Sequence, residues 1–494
     1  MIRRLQLAGL VEMIRSIQVW LTAGVMVLAP LFFGSVDQFW IAIWAVLLSI
    51  ATILGAGAPL NVAQTRVVAA FLSVCFIYAI VALIQVIPHL PAGFADPIWR
   101  RAYELLGPDI APRISSTAQI PPIAIGHFLL LVTSFLSGFL AGTSQRNAST
   151  LMSSARIAIL LYAVYGLIAL AVTPDLLLWA PKVAYRGSLT ASFVNHNTAA
   201  TFFGCGVILW SCRTYLAMQS LQTSSLRMLL LNPFNENVTF NVILHASAAL
   251  TCVFALLLTN SRGGLICSSL GLLVSLGLLA ANKFKRRMGY AVACAVLALL
   301  ALAVWLGKTG RIGSEGAIDD GRWVVYGYSL QAIRQRPWLG AGAGSFENLF
   351  PSLRTADFNN WGIWDYAHST ILEIAVEMGL PVAALVVLAA CASIFLLVRR
   401  AVKSDDRNRA ALAAITGIAV LTYLHSLIDF SLQIPGYLIV FGILIGCGLA
   451  KATGDETTRK RRRSQAIVDF APTIAEKEMM LKAGLNAQTP GKAD

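Results

Sequence analysis

An all-α fold of about twelve membrane-crossing helices is what this sequence predicts, and three observations carry that prediction. Hydrophobic residues make up 57% of the chain and charged residues only 13%, against about 25% charged in a soluble domain. Apolar runs of roughly 18–22 residues, the length that crosses a bilayer, recur from one end of the chain to the other. Lysine and arginine fall mainly in alternate connections between those runs, as the positive-inside bias requires. A β-barrel would show alternating segments of about ten residues instead.

In order, the expected spans are residues 17–35, 38–56, 67–87, 122–141, 156–173, 197–216, 241–259, 263–281, 289–306, 370–398, 411–430 and 435–450. Spans 1–9 occupy 1–306, a long outer segment with short helices follows at 307–369, spans 10–12 lie in 370–450, and a basic tail runs over 451–494. Arg3, Arg4 and Arg15 precede the first apolar run, which lacks a small-residue cleavage site and reads as a retained span. Further basic residues at Arg66, Arg146, Arg156, Arg213, Arg227, 283–287, 399–409 and in the run Arg459-Lys460-Arg461-Arg462-Arg463 put those connections and both termini in the cytoplasm. The formal net charge of +14 is therefore a topology signal, and no nucleic-acid partner is expected. The polybasic run favours anionic lipid of the inner leaflet. The eight cysteines sit in or beside apolar runs without a Cys-x-x-Cys pair, so buried thiols are expected, with neither disulfides nor a thiolate metal site.

Against that charge bias, a few outer residues stand out. In the first long outer loop, Asp96-Pro97 reads as an N-cap with proline at the first helical position. Trp99 and Tyr103, four apart, would share one face of a short interfacial helix, either a lipid anchor or a wall of a lipid entrance. Arg186 lies in the loop that leads through Asn195-His196-Asn197 into span 6, where any of the three residues can cap the span. Arg262 sits in a minimal turn between spans 7 and 8; it either snorkels to headgroups or binds an anionic group. Arg322 follows Asp319-Asp320 at the start of a helix in the long segment, and the aspartates read as caps in preference to metal ligands.

His368 stands at the start of the next span. It is a base candidate near neutral pH or a structural hydrogen-bonding residue. His425 and Asp429, at i and i+4 in span 11, would share a face and satisfy one another or position substrate. The Gly340-Ala341-Gly342-Ala343-Gly344 run follows no strand and reads as a tight turn, not a nucleotide loop. Three outward arginines with a histidine suit a pyrophosphate leaving group beside a base for an attacking hydroxyl.

Taken together, five elements resemble the O-antigen ligase and polymerase superfamily. They are Arg186-Gly187 with Asn195-His196-Asn197; Ser261-Arg262-Gly263; Arg322-Trp323 with Pro337-Trp338-Leu339-Gly340-Ala341-Gly342; His368-Ser369-Thr370 with Glu377-Met378-Gly379-Leu380; and His425-Ser426 with Asp429. The resemblance covers roughly residues 180–440. It implies a GT-C-like bacterial inner-membrane glycosyltransferase with a periplasmic active site, independent of metal and of any other cofactor. The donor it implies is a glycan on undecaprenyl pyrophosphate. The acceptor is a hydroxyl of lipid A–core in a ligase, or of a growing polysaccharide in a polymerase.

By this resemblance, Arg186 and Arg262 bind the pyrophosphate, and His368 orients or deprotonates the acceptor hydroxyl. Arg322 helps hold substrate, with Asn195, Asn197, His425 and Asp429 as further binding residues. The family often has asparagine after this histidine, where this chain has Ser369. A protein O-oligosaccharyltransferase is a third reading. A polysaccharide transporter is a reading of another class, and it would place its charges near mid-membrane instead of at span ends.

Overall fold

The computed structural model describes residues 2–88, 93, 95–107, 110–219, 236–280, 320–354 and 364–454. The expected span at 289–306, the polybasic tail and the side chains of Asp319 and Asp320 lie outside them. Met1–Ala452 form one compact unit, an all-α multi-pass membrane protein. Its helices are α1 (Ile2–Leu28), α2 (Gln38–Gly55), α3 (Val62–Gln85), α4 (Pro97–Leu106), α5 (Pro122–Gly142) and α6 (Gln145–Val172). A minimal hairpin, β1 (Leu176–Leu177) and β2 (Ala180–Pro181), comes next. Then follow α7 (His196–Gln219), α8 (Glu236–Leu258), α9 (Arg262–Ala280), α10 (Asp320–Gln335), α11 (Phe346–Leu353), α12 (Thr370–Lys403), α13 (Asp406–His425) and α14 (Pro435–Ala452).

Among the described residues, nine helices are long and apolar enough to cross a membrane: α1 from Gly9, α2, α3, α5, α6, α8 from Thr239, α9, α12 and α14. α7 and α13 run beside them. Their sequences are less apolar because Asn197, Thr198 and Thr201 on α7, and Thr416, Thr422 and His425 on α13, turn inward and are buried. Every expected span within the described residues thus has its helix. The first ends at Leu28 instead of residue 35, because Pro30 and the left-handed Gly34 break the chain into a short 3-10 turn, Phe33–Ser35.

α14 is the axis of the unit, buried from Pro435 to Lys451. It packs along α5 by small residues at four-residue spacing, which let backbones approach closely. A Cβ on Gly138 would run into the Ile443 backbone, and one on Gly446 into Phe135 and Phe139. Overpacking of this kind costs about 1–3 kcal/mol. Gly446→Ala is therefore expected to lower the thermal midpoint of the detergent-solubilised protein. Gly277→Ala on α9, where a Cβ meets nothing within 4 Å, should leave that midpoint unchanged.

At one end of the bundle the loops are held by polar ties. Gln85, the last residue of α3, is fully buried. Its amide donates to the carbonyls of Glu377 (2.7 Å) and Leu339, and its oxygen accepts from Ala343 N–H (3.0 Å). The expected tight turn thereby locks onto α12, which breaks at Gly379 (φ 82) before Pro381. A Cβ on Gly340 would meet the Glu377 carbonyl, and one on Gly379 the Trp338 carbonyl, so the two motifs are two sides of one backbone contact.

Asp96 caps α4 as expected, accepting from Ile98 N–H at 2.9 Å, and it also pairs with Arg336 at 2.7 Å. Burial pushes its carboxyl above the usual range, while that N–H and the Arg336 charge hold it down. Trp99 and Tyr103 do not act alike. Trp99 donates its indole N–H to Ser115 O (2.8 Å), whereas Tyr103 is exposed. Of the seven described cysteines, all free, Cys391 on α12 is exposed and the rest are buried.

Candidate functional site

Two of the candidate arginines are carried by loops stitched to each other. Leu189 N–H donates to Leu258 O (2.8 Å), the Asn260 amide to Ser188 Oγ (3.1 Å), and His196 Nδ1 lies 2.7 Å from Thr259 O. The Tyr185 ring stacks on His196 at 4.2 Å. These bonds hold Tyr185 (φ 57), Ala191 (φ 47) and Asn260 (φ 58) in the left-handed region. Asparagine tolerates that conformation; tyrosine and alanine adopt it under strain.

Arg186 is exposed and donates from Nε to Lys182 O (3.3 Å). Lys182 is buried beneath it with Nζ on Ser188 O (3.0 Å), and burial pushes that ammonium below its ordinary value. Arg262, also exposed, is the first residue of α9. The preceding Ser261 caps that helix by accepting from Gly264 N–H (3.1 Å).

Under these loops lies a buried polar chain. The cap of α7 is Asn195, whose side chain accepts from Asn197 N–H (2.7 Å). Asn197 is thereby released for another task. Its amide donates to Asp429 Oδ2 (2.7 Å), and its oxygen accepts from Ser261 Oγ (2.7 Å). The expected shared face of His425 and Asp429 does not form, because α13 ends at His425 and the chain turns through Ser426–Ile428. Ser431 joins the pair instead, with Oγ 3.2 Å from Asp429 Oδ1 and 3.3 Å from His425 Nδ1. Thr201 Oγ1 lies 2.7 Å from the same imidazole nitrogen. Asn195, Asn197, His425 and Asp429 are all buried, so they reach the surface only through the residues they hold.

One of those residues is Arg322, which opens α10 as expected. Its Nη1 donates to Ile428 O (2.9 Å), and Nη2 stands 3.8 Å from Asp429 Oδ2. One turn on, Tyr326 donates its hydroxyl to His368 O (2.9 Å). His368 precedes the Ser369 cap of α12 and has φ 52, a left-handed conformation. Its ring meets Trp364 and Phe430 edge to face, at 5.0 and 4.8 Å. Glu373, buried, accepts from Ala367 N–H (2.7 Å) and from the Gln433 amide, fixing the residue just before the histidine. Ser369, at the position where the family often has asparagine, serves as the helix cap, accepting from Leu372 N–H.

The four candidates therefore share one end of the bundle, linked by neighbouring residues. Arg186 and Arg262 are joined through Ser188–Asn260. A Cβ on Gly263, next to Arg262, would meet Ile428 and His425. Arg322 holds Ile428 and Asp429, and His368 leans on Phe430. The surface they form presents guanidinium forks that suit an anion with several oxygens, beside an imidazole. Ser261, part of the Ser261-Arg262-Gly263 element, takes the role of helix cap. Tyr326 is the residue that sequence reasoning missed; its signal is its place four beyond Arg322 on the same helix face.

No curated protein matches the chain. Residues 247–387, which carry Arg262, Arg322 and His368, match the family model described as O-antigen ligase. This segment, with its arginines and histidine at one end of a helical membrane bundle, is where the chain is similar to the O-antigen ligase family.

Proposed function

We propose that this protein transfers a glycan from undecaprenyl pyrophosphate to a hydroxyl of lipid A–core at the periplasmic face of the bacterial inner membrane. The family match supports ligase- or polymerase-type chemistry in general. The observation that carries the finer reading is the gathering of Arg186, Arg262, Arg322 and His368 at one end of the bundle, on elements tied through residues 425–430 and 185–196.

In this reading the acceptor oxygen attacks the anomeric carbon while the bond from that carbon to the pyrophosphate oxygen breaks. The bonding pair stays on the pyrophosphate, and the hydroxyl proton passes to the His368 imidazole. Arg262 and Arg186 lie against the oxygens on which negative charge grows, a contribution larger in the transition state than in the ground state. Arg322 is less free to move, since Ile428 O and Asp429 hold it; it forms the fixed wall of the site. Polymerisation of a lipid-linked glycan would use the same residues with a different acceptor.

The test is transfer by the reconstituted protein with purified lipid-linked donor and alternative acceptors. Arg262→Ala is expected to lower kcat by about 10²–10³-fold, and Arg262→Lys to restore only part of it, because an ammonium lacks the planar fork. Full activity of Arg262→Ala would remove that residue from the mechanism. A strain lacking the gene separates the two acceptors. Loss of attached chains with retained lipid-linked polymer marks a ligase, whereas single-repeat caps mark a polymerase.

A further inference from the structure

The end of the bundle opposite the candidate site holds a second basic cluster, unused by the proposed reaction. Arg213 on α7 lies about 25 Å along the helix from His196, at 1.5 Å of rise per residue. Trp210, one turn earlier, is the centre of the cluster. Its indole N–H donates to Arg156 O on α6 (3.1 Å), and the Arg156 guanidinium lies over its ring at 5.0 Å. His245 of α8 packs against the same ring at 5.6 Å. Both arginines are near enough for their charges to act on His245.

Among the described residues, nothing in the cluster balances this charge. Arg156 Nη2 donates to Ser153 Oγ (3.2 Å). Arg156 Nε, Arg213 Nε and His245 Nδ1, however, are all buried without a hydrogen-bond partner. Among the described residues no carboxylate pairs with either guanidinium. Leaving buried polar groups unsatisfied is unfavourable, and basic residues inside spans normally find a partner or reach the interface.

A phosphate offers several anionic oxygens at once, matched to the guanidinium fork, and tryptophan is at home at headgroup depth. Toward the middle of the same helices, Ile157, Leu161 and Val164 on α6 and Leu250 and Phe254 on α8 are exposed, a surface for acyl chains that a free phosphate would not need. We propose that Arg156, Arg213, His245 and Trp210 bind the phosphate headgroup of an anionic phospholipid at the bundle end away from the glycan-transfer site.

Native mass spectrometry and thermal melting of the delipidated full chain test this with three probes: phosphatidylglycerol, phosphatidylcholine and inorganic phosphate. The wild type is expected to retain phosphatidylglycerol preferentially and to melt higher with it. The Arg156→Gln/Arg213→Gln variant should lose about tenfold or more of that adduct. Equal retention of the two lipids, an undiminished adduct in the variant, or the same thermal shift from inorganic phosphate would each overturn the proposal. The lipid comparison on the wild type needs no variant, so a misfolded variant leaves the test intact.

Discussion

His368→Ala is expected to cut glycan transfer by about 10²–10⁴-fold, the usual contribution of a positioned general base, while the protein stays folded. The imidazole meets Trp364 and Phe430 edge to face, and the backbone around it is held by other groups: Tyr326 on its carbonyl, Glu373 on the preceding N–H, and the Ser369 cap. The backbone conformation is a separate variable. At φ 52 asparagine is better tolerated than alanine, so His368→Asn keeps the turn and loses the base. Both variants should melt near the wild-type temperature and show the same deep loss of kcat with purified donor and acceptor. If His368→Asn retained the full rate, the turn and not the imidazole would be what the reaction uses. Tyr326→Phe supplies the complementary loss, a base present but less firmly held, and is expected to fall between the wild type and His368→Ala.

Much of this arrangement could be read from the chain, and where the reading stopped has a physical explanation. Span positions, the Asp96 cap, the helix opening at Arg322, the minimal turn before Arg262 and the tight turn at Gly340 all depend on neighbours within a few residues, and sequence displays such neighbours directly. The task of Asn197 depends on a residue 232 positions away, and no local pattern announces it. Sequence offered three residues as caps for α7. Only packing decides that Asn195 takes the role and turns Asn197 inward. His425 and Asp429 show the converse error. Their four-residue spacing suits one helical face, but the helix ends at His425, and Ser431 from the next turn makes the connection. The lock between Gln85, the Gly340 turn and the Gly379 break is of the same kind. Its glycines are visible in sequence, and their mutual contact is not.

Asp429→Ala should have the largest effect on stability of any change near the site. The carboxylate is fully buried and accepts from Asn197 and Ser431 with Arg322 close by. Its removal strands the Asn197 amide and takes away the carboxylate beside Arg322. Breaking a buried charged pair from one side typically costs about 3–5 kcal/mol, and the 3.8 Å separation of the partly exposed Arg322 argues for the lower part of that range. Asp429→Asn separates the two roles. It keeps an oxygen for Asn197 or Ser431 but lacks the charge that orders Arg322, so it should melt between wild type and Asp429→Ala and still lose activity. The loss should fall on KM for the lipid-linked donor more than on kcat, since Arg322 walls the site without touching the proton that moves. A melting temperature for Asp429→Ala equal to wild type would show that the carboxylate does not hold Arg322 in place. The buried chain from Asn197 to His425 would then be a packing feature without influence on the surface above it.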